Sequence, residues 1–324
     1  MKAVPYVRLL LLALIVLFTQ CEKEPEPEPE INPWLEFEVT DPNFLHALIE
    51  MGVDADSNNF ISPEEVDSIN YLDVSSRGIA DLSGIELFVS LRELNCNKNQ
   101  LTRLDVSHNT SLEVLLCNDN QLRKLVVSGD SSLLHLDCFN NQLTSLNVFN
   151  NTSLLHLDCF DNQLTSLNVS NNTSLVSLYC GYNQLTSLNV SNNILLDTLN
   201  CAANRLTSLY VSNNTALRFL DCHGTQLSNL DITHNTGLTH IECQWNQLIN
   251  LDVSNNIDLI RLVCFHNQLI NLDVSNNTAL YRIYLTDMPS LYKVCVWEMP
   301  FPPEGVRVYT DGSPNVYFTT ECSK

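Results

Sequence analysis

The chain has 324 residues and a formal net charge of −21, with 37 acidic side chains against 16 Lys and Arg. This balance excludes nucleic acid as a partner, because binding phosphates requires a basic surface. It also disfavours direct electrostatic docking on anionic lipid, so membrane contact is expected only through an anchor.

Residues 1–20 have the features of a signal peptide. Lys2 and Arg8 give a positive start, and residues 9–18 form an unbroken apolar run that is too short to span a bilayer. The sequence FTQC at residues 18–21 resembles a bacterial lipoprotein cleavage site, although Phe18 and Gln20 depart from the usual residues. This resemblance implies lipidation at Cys21. The alternative is an ordinary secretory signal followed by an incidental cysteine.

Residues 21–32 are expected to form an acidic tether. Alternating Pro and Glu cannot build a core, and their charges keep the segment extended. The sequence CEKE at residues 21–24 resembles the short acidic signal that sends Bacteroidetes lipoproteins to the outer face of the outer membrane. The resemblance implies an outer membrane lipoprotein exposed at the cell surface. The alternative is a lipoprotein that faces the periplasm.

Residues 33–68 predict a helical N-terminal cap. Apolar residues at helical spacing predict a helix over 42–51, and a second short helix is expected to reach about Ile69. The helix–acidic loop–helix order resembles an EF-hand, with Asn59 where Gly normally makes the sharp turn. We expect a weak Ca²⁺ site; the alternative is a vestigial loop whose helices only cap the chain. The expected ligands are Asp54, Asp56, Asn58, the Phe60 carbonyl, Ser62 and Glu65.

Residues 91–279 repeat one 21-residue unit nine times without a gap, and residues 69–90 form an atypical first repeat without its cysteine. The template L-x-x-L-x-C-x-x-N-Q-L is the leucine-rich-repeat signature with Cys at the third apolar position. The chain resembles the cysteine-ladder leucine-rich-repeat proteins of bacterial surfaces, such as the internalin J type and the lipoproteins of Bacteroidetes. The resemblance implies an α/β repeat solenoid, a horseshoe with a parallel concave β-sheet, and a role in adhesion or host contact. The units begin at Leu91, Leu112, Leu133, Leu154, Leu175, Leu196, Leu217, Leu238 and Leu259.

The alternation within one unit predicts which side chains face the core. Leu157 and Cys159 are two residues apart, which places both on one side of a strand. His156, Asp158 and Phe160 then point outward onto the concave sheet. Since a single 21-residue unit cannot bury its apolar residues alone, each unit must stack on its neighbours.

Two further columns of residues are structural in this interpretation. Asn162 lies where the chain leaves the strand and can satisfy backbone groups of adjacent coils; only Thr225 breaks this column, which predicts an irregularity in repeat seven. The repeat cysteines are expected to be small buried hydrophobes. A straight column of thiols cannot surround a cation, and parallel strands hold Cβ atoms ~4.8 Å apart, beyond disulfide reach. These cysteines are Cys96, Cys117, Cys138, Cys159, Cys180, Cys201, Cys222, Cys243 and Cys264.

Residues 280–324 predict a C-terminal β cap. A tenth unit begins at Leu280 and is broken at Pro289, and further strands are expected over 291–296, 306–309 and 316–320. Cys295 and Cys322 are expected to form a disulfide, because free cysteines of an exported protein normally pair. The alternative is two buried thiols.

An aromatic and acidic stripe on the concave face is the predicted binding surface. Exposed aromatic residues in a row indicate contact with a partner, although ring stacking between repeats could merely stiffen the sheet. Paired His and carboxylate groups could perform acid–base chemistry or hold a metal. An open sheet does not exclude water, so we expect no enzyme, no catalytic residues and no catalytic cofactor. The stripe comprises His135, Asp137, Phe139, His156, Asp158, Phe160, Tyr179, Tyr182, Phe219, Asp221, Glu242, Trp245, Phe265 and Tyr284, with His223, His240 and His266 nearby.

The sequence therefore predicts a surface-displayed, non-enzymatic scaffold that recognises a protein, on a host or a neighbouring cell, through its concave face. Glycan capture at the cell surface is the alternative function, since aromatic platforms with nearby acids also suit sugars. A third hypothesis is a structural envelope protein without a specific ligand.

Overall fold

A computed structural model describes residues 38–127 and 132–322. The predicted signal peptide, the lipidation site at Cys21 and the tether lie outside the described residues, as do residues 33–37 of the predicted cap. In the described part of the chain, no helix is both long and apolar enough to cross a bilayer.

Two short helices precede the repeats: α1 (Pro42–Glu50) and α2 (Pro63–Val66). The first lies where the sequence predicts it. The second ends before the predicted Ile69, whose amide instead turns back onto the carbonyl of Val66 at 3.0 Å as the chain enters the first repeat. On the inner side of α1, the Phe44 ring stacks on Phe88 with centroids 6.5 Å apart.

One carboxylate joins α1 to the solenoid. The Asp41 side chain accepts hydrogen bonds from the Asn43 and Phe44 amides at 2.8 and 3.1 Å, which is the usual helix N-cap arrangement. Its second oxygen accepts from the amides of Ala80 and Asp81 in the first repeat, at 2.9 and 3.1 Å. The position of α1 on the first repeat is therefore fixed by hydrogen bonds as well as by apolar packing.

The rest of the described chain is a solenoid of about 12 turns built from three-residue strands. The strands are β1 (Tyr71–Asp73), β2 (Glu93–Asn95), β3 (Arg103–Asp105), β4 (Val114–Leu116), β5 (Lys124–Val126), β6 (His135–Asp137), β7 (His156–Asp158), β8 (Ser177–Tyr179), β9 (Thr198–Asn200), β10 (Phe219–Asp221), β11 (His240–Glu242), β12 (Arg261–Val263), β13 (Asn271–Asp273), β14 (Arg282–Tyr284), β15 (Lys293–Cys295), β16 (Arg307–Tyr309) and β17 (Tyr317–Thr319). A 3₁₀ helix, Ile85–Leu87, lies in the first repeat.

Twelve of these strands form one parallel sheet in the order β1-β2-β4-β6-β7-β8-β9-β10-β11-β12-β14-β16. Equivalent residues of successive repeats pair directly, as His156 does with Ser177 and Leu157 with Leu178. The returning arms form a two-stranded sheet, β3-β5, and a three-stranded sheet, β13-β15-β17. The predicted parallel-sheet solenoid is thus confirmed.

The core lies between the large sheet and the returning arms. Leu157 is fully buried while its neighbours His156 and Asp158 are half-buried, and the same alternation recurs along the sheet. Cys159 follows its strand directly, and its amide extends the ladder to the Tyr179 carbonyl at 2.8 Å.

The nine repeat cysteines are free thiols and all are buried. Burial raises the pKa of the Cys96 and Cys264 thiols to about 12. A thiol protonated at neutral pH is a poor nucleophile and a poor metal ligand. The column therefore acts through packing.

Asparagines supply the polar part of the core. The Asn162 side-chain amide donates to the carbonyls of Cys138 and Cys159 at 3.1 and 3.2 Å, and its oxygen accepts from the Leu143 amide at 2.9 Å. Each such residue ties two coils together. At Thr225 the strands still pair normally, so the irregularity of repeat seven is confined to hydrogen bonding.

A second asparagine column, which our sequence reasoning missed, lies at the opposite end of the repeat. Asn172 is fully buried and donates to the carbonyls of Val148 and Asn151 at 2.9 and 2.8 Å. Its signal was visible in the sequence as the second Asn of the recurring Ser-Asn-Asn motif. Asn151 is a buried member of the same column. Other members that donate in the same way are Asn109, Asn193, Asn214, Asn235, Asn256 and Asn277.

After residue 279 the large sheet continues through β14 and β16, and the three-stranded sheet closes the other side of the coil. A disulfide joins Cys295 to Cys322, with the Cα atoms 5.7 Å apart. By the chain-entropy model, a loop of this size stabilises the folded state by roughly 3–4 kcal/mol.

Candidate functional site

The outward side of the twelve-stranded sheet is the predicted binding surface, and we call it the open face. It consists of the outward strand residues and the two residues that follow each buried cysteine. All residues of the predicted stripe lie on it, but most are half-buried against their neighbours. Of the stripe, Tyr182 and Trp245 are the well-exposed members, at 48% and 54%, whereas Asp221 is 6% exposed.

The backbone of the open face adopts the left-handed conformation at one fixed position, the second residue after the cysteine. The φ angles there lie between +48° and +61°. Asn, Asp and Gly adopt this conformation readily, while other residues do so at a cost of ~1 kcal/mol or more. Tyr182, Trp245 and His266 therefore hold aromatic side chains at strained positions. The column is Ser76, Lys98, Asp119, Asn140, Asp161, Tyr182, Ala203, Gly224, Trp245, His266 and Asp287, where Ser76 and Asp287 belong to repeats without the cysteine.

Two aromatic clusters result. In the first, the Tyr182 ring lies 4.9 Å from Phe160 and 6.2 Å from His223, centroid to centroid. The Phe160 ring covers Gly181, where a Cβ atom would come within 3.0 Å of it. The same Cβ atom would come within 2.5 Å of Asn200 Oδ1, so a larger residue at position 181 would displace both the Asn200 amide and the Phe160 ring.

In the second cluster, Trp245 stacks on His266 with centroids 3.7 Å apart and meets Phe265 edge-on at 6.1 Å. The other side of the His266 ring reaches Asp287, with Nε2 and Oδ2 3.4 Å apart. Trp245 thus keeps one face supported by protein and more than half of its surface free.

Between the clusters, the left-handed positions carry almost no side chain. Ala203 and Gly224 occupy the two repeats that separate Tyr182 from Trp245. With strands ~4.8 Å apart, this gap between the aromatic clusters spans ~14 Å. We call it the central gap. Polar side chains, among them Asp221, lie along the gap. Our sequence reasoning did not identify the gap, because a small residue such as Ala203 or Gly224 matches no binding motif.

The carboxylates in the N-terminal half of the open face are recessed. Burial raises the pKa of Asp137 and of Asp158 to about 6. One oxygen of Asp137, Oδ1, is buried without a hydrogen-bond partner among the described residues. At mildly acidic pH, Asp137 and Asp158 therefore carry less negative charge than two ordinary carboxylates would.

The histidines form two different arrangements. His135 and His156 stack with ring centroids 5.3 Å apart, and burial lowers the pKa of both. The Nδ1 atom of His156 lies 2.6 Å from the Ser177 hydroxyl oxygen. By contrast, His223 Nδ1 lies 2.7 Å from Asp221 Oδ1, and this hydrogen bond raises the pKa of His223.

Neither arrangement completes a catalytic relay among the described residues. The Ser177–His156 pair has no hydrogen-bonded carboxylate behind its imidazole, and the His223–Asp221 pair has no hydroxyl or thiol in front of it. Both lie on an open sheet that does not exclude water. The geometry supports binding more than acyl transfer or proton abstraction.

The C-terminal end of the open face carries cations. Arg261 Nε lies 3.2 Å from Glu242 Oε1, and its guanidinium lies 5.2 Å from the centre of the Tyr284 ring. The Tyr284 ring in turn stacks on Tyr309 at 4.5 Å. Our sequence reasoning singled out Glu242 and Tyr284 but missed the arginine between them.

The acidic loop brings three of its predicted ligands together. Carboxylate oxygens of Asp54, Asp56 and Glu65 lie within 4.8 Å of one another. Asn59 has a φ of +60°, which places the turn where an EF-hand has glycine. Glu65 accepts hydrogen bonds from the Ala55 amide at 2.7 Å and from the Ser62 amide at 2.9 Å, so it links both ends of the loop. An all-oxygen donor set of this kind fits Ca²⁺.

Comparison with solved structures finds the same architecture in other proteins. The functional domain of InlJ from Listeria monocytogenes, which includes a cysteine ladder, is 31% identical with a TM-score of 0.66, and the match covers 86% of this chain and 70% of that one. The internalin inlF of the same organism is 20% identical with a TM-score of 0.62, covering 88% and 96%. The plant peptide hormone receptor RGFR1, in complex with RGF2, is 17% identical with a TM-score of 0.55, covering 72% and 44%. No protein-family model and no curated protein matches the chain.

The stacked strands and the Leu, Cys and Asn columns define a leucine-rich-repeat solenoid protein. Given the extent of the match to InlJ, the chain belongs to the internalin-like family of leucine-rich-repeat proteins with a cysteine ladder.

Proposed function

We propose that this protein is a non-enzymatic scaffold that binds a protein partner through its open face. One observation carries the proposal: Tyr182 and Trp245 hold large exposed rings at left-handed backbone positions. Five repeats place Asn, Asp or Gly at the same position (Asp119, Asn140, Asp161, Gly224 and Asp287), and Ser76, Lys98 and Ala203 occupy it without a ring. A strained, exposed aromatic residue is explained by a ligand that it contacts.

The dimensions of the open face suit a protein ligand. Twelve strands at ~4.8 Å give a surface ~50 Å long, which accommodates a standard interface of ~800 Å² per partner. In such interfaces a few aromatic residues contribute most of the binding energy. Since Tyr182 and Trp245 flank the central gap, we expect the centre of the interface there.

Charge and the structural neighbours give further support. The chain has a net charge of −21, so the expected partner presents a basic surface. The plant peptide hormone receptor RGFR1, which shares the fold, has been solved in complex with RGF2. A solenoid of this kind can therefore hold a peptide ligand.

Alanine substitutions on two sides of the solenoid test the proposal. A partner is first selected by screening the whole chain against arrays of host proteins and of glycans. We then expect Trp245→Ala to weaken partner binding by about 2 kcal/mol, or roughly 30-fold in Kd. Alanine is tolerated by the backbone there, because Ala203 occupies the equivalent position with a φ of +48°.

Tyr210→Ala is the matched control, since Tyr210 is 77% exposed and lies outside the large sheet. Loss of binding in Tyr210→Ala with full binding in Trp245→Ala would show that the open face is not the interface. Selection of a sugar with shallow, millimolar affinity would favour the glycan alternative, for which the exposed Trp245 ring is also suited. Absence of any ligand on both arrays would favour a structural envelope role.

We further propose that the protein is a lipoprotein anchored at Cys21 and displayed on the outer membrane. The support is the order of charged, apolar and acidic segments in residues 1–30. Metabolic labelling with an alkyne fatty acid should mark the wild-type chain but not Cys21→Ser. Equal labelling of both would refute the anchor.

The acidic loop is proposed as a weak Ca²⁺ site. Its support is the convergence of Asp54, Asp56 and Glu65. Extracellular sites of this class bind Ca²⁺ at about 10⁻⁴ to 10⁻³ M.

A further inference from the structure

The central gap contains a cluster of metal-ligating side chains that the proposed protein interface does not explain. Asp221 and Glu242 are paired directly across β10 and β11, so both carboxylates leave the sheet side by side. His223 follows two residues after Asp221, beyond the buried cysteine. One ligand atom from each of these three residues lies within 4.8 Å of the other two.

Asp221 is already held in position by its surroundings. Its Oδ1 accepts from the His223 amide at 3.1 Å and lies 2.7 Å from the imidazole Nδ1. Its Oδ2 accepts from the Asn200 side-chain amide at 3.1 Å, on the neighbouring strand. Hydrogen bonds of this kind orient first-shell ligands and fix their rotamers.

Two small residues and one unpaired amide oxygen lie in the repeats around the cluster. Gly224 and Ala203 place no large side chain over the cluster. Gln244, which occupies the position of His223 in the next repeat, is 8% exposed and its Oε1 has no hydrogen-bond partner among the described residues. A buried amide oxygen normally accepts a hydrogen bond. A water molecule bound to a metal ion in the cluster could be the donor.

The other acidic pair of the open face shows why this cluster is distinctive. Asp137 and Asp158 are paired across β6 and β7 in the same register. The residues that follow their cysteines are Phe139 and Phe160, so the position of His223 carries no ligand there, although His135 and His156 lie earlier on the same strands. The His223 side chain converts a pair of carboxylates into a mixed three-ligand set.

We propose that Asp221, His223 and Glu242 form a binding site for a divalent transition-metal ion, with Zn²⁺ as the expected occupant. Imidazole favours Zn²⁺ over Ca²⁺ and Mg²⁺, and three protein ligands with an open fourth position make a known zinc arrangement. Ligand atoms around a tetrahedral Zn²⁺ lie ~3.4 Å apart, so the side chains have to close by up to about 1.4 Å, and the ion replaces the hydrogen bond between His223 Nδ1 and Asp221 if it binds that nitrogen. Glu242 Oε1, which faces Arg261 at 3.2 Å, can keep that ion pair while the second oxygen turns to the metal.

The inference does not rest on the proposed function, because its observations and its test concern the chain without a partner. It also differs from the acidic loop, whose ligands are all oxygens.

The test is metal binding by the whole chain, prepared without a polyhistidine tag and stripped with EDTA. We expect calorimetry to detect one Zn²⁺ bound at the open face, and Co²⁺ to give visible d–d absorption at the same site. His223→Ala and Glu242→Gln should each weaken the binding of both ions at least tenfold, with unchanged melting curves because neither residue is in the core. Two variants guard against a folding artefact in either one.

His156→Ala is the matched control, since His156 is also half-buried on the open face and stacks on another histidine. It should bind both ions as the wild type does. Three results would overturn the inference: no Zn²⁺ binding by the wild-type chain, full binding by His223→Ala, or loss of binding in His156→Ala. The last would assign the ion to the His135–His156 pair.

Discussion

The asparagine column makes a prediction whose size follows from its hydrogen bonds. Asn183 is a regular member: its oxygen accepts from the Leu164 amide at 2.9 Å, and its amide donates to the carbonyls of Cys159 and Cys180 at 3.0 and 3.2 Å. All of these groups are buried. Each buried backbone group without a partner costs about 1–3 kcal/mol, whereas a formed hydrogen bond contributes about 1 kcal/mol net.

Thr225 satisfies fewer groups than the asparagines on either side of it. Its hydroxyl lies 2.9 Å from the Cys222 carbonyl and 2.7 Å from Asn246 Oδ1, and it has only one proton to donate. Within the described residues, the Leu206 amide lacks the side-chain acceptor that equivalent leucines have. We therefore expect Thr225→Asn to stabilise the chain by about 1 kcal/mol, because it supplies that acceptor and one more donor.

Native-state hydrogen exchange and thermal melting measure this effect. Thr225→Asn should slow exchange of the Leu206 amide and raise the melting temperature. The reciprocal variant Asn183→Thr should copy the defect into repeat five, lower the stability by about 1–3 kcal/mol and speed exchange of the Leu164 amide. If Asn183→Thr is neutral, or if Thr225→Asn is destabilising, the column does not stabilise the solenoid in the way its hydrogen bonds indicate.

Two further predictions concern charge. Millimolar Ca²⁺ should raise the melting temperature, because the ligand binds only the folded state, and Glu65→Gln should remove the increment; an identical melting curve in EDTA and in Ca²⁺ would show that the loop is vestigial. Burial raises the pKa of Asp158 from 3.8 to about 6, so the folded state loses stability as pH rises from about 4 to 6. Asp158→Asn should therefore stabilise the chain at pH 7.5 and have little effect at pH 3.5. The full shift of the Asp158 pKa corresponds to about 3 kcal/mol of unfolding free energy, and solvent screening reduces the expected gain to about 1 kcal/mol. The exposed Asp161 on the same repeat is its control: Asp161→Asn should change little at either pH, and an equal gain from both substitutions would contradict the burial argument.

The fold was predictable because the same pattern of buried and outward residues recurs in every repeat. Alternation at Leu157 and Cys159 predicts one buried side, and a fixed 21-residue spacing leaves the chain one way to stack. The Asn162 column followed from the need to satisfy buried backbone groups. None of these inferences depends on knowing where the solenoid bends or what it binds.

The open face was predictable in composition but not in exposure. The sequence indicates that Phe160 and Trp245 both point outward. In the structure the Phe160 ring packs over Gly181, whereas more than half of the Trp245 surface is exposed. Exposure depends on which neighbours are small, and this is a property of adjacent repeats. Sequence reasoning placed Asp221 on the stripe but missed its burial for the same reason, since Asn200 and His223 contact its carboxylate.

The left-handed column separates residues that serve the fold from residues that serve a ligand. Asn140 and Gly224 show which residues the backbone accepts there with little strain, and every repeat could use them. Tyr182 and Trp245 instead bring a large ring to a position that disfavours it by ~1 kcal/mol or more. Each ring packs on one neighbour and leaves about half of its surface in water. A partner that covered the exposed half would bury this apolar surface, and the proposed interface is placed on this stretch of the sheet for that reason.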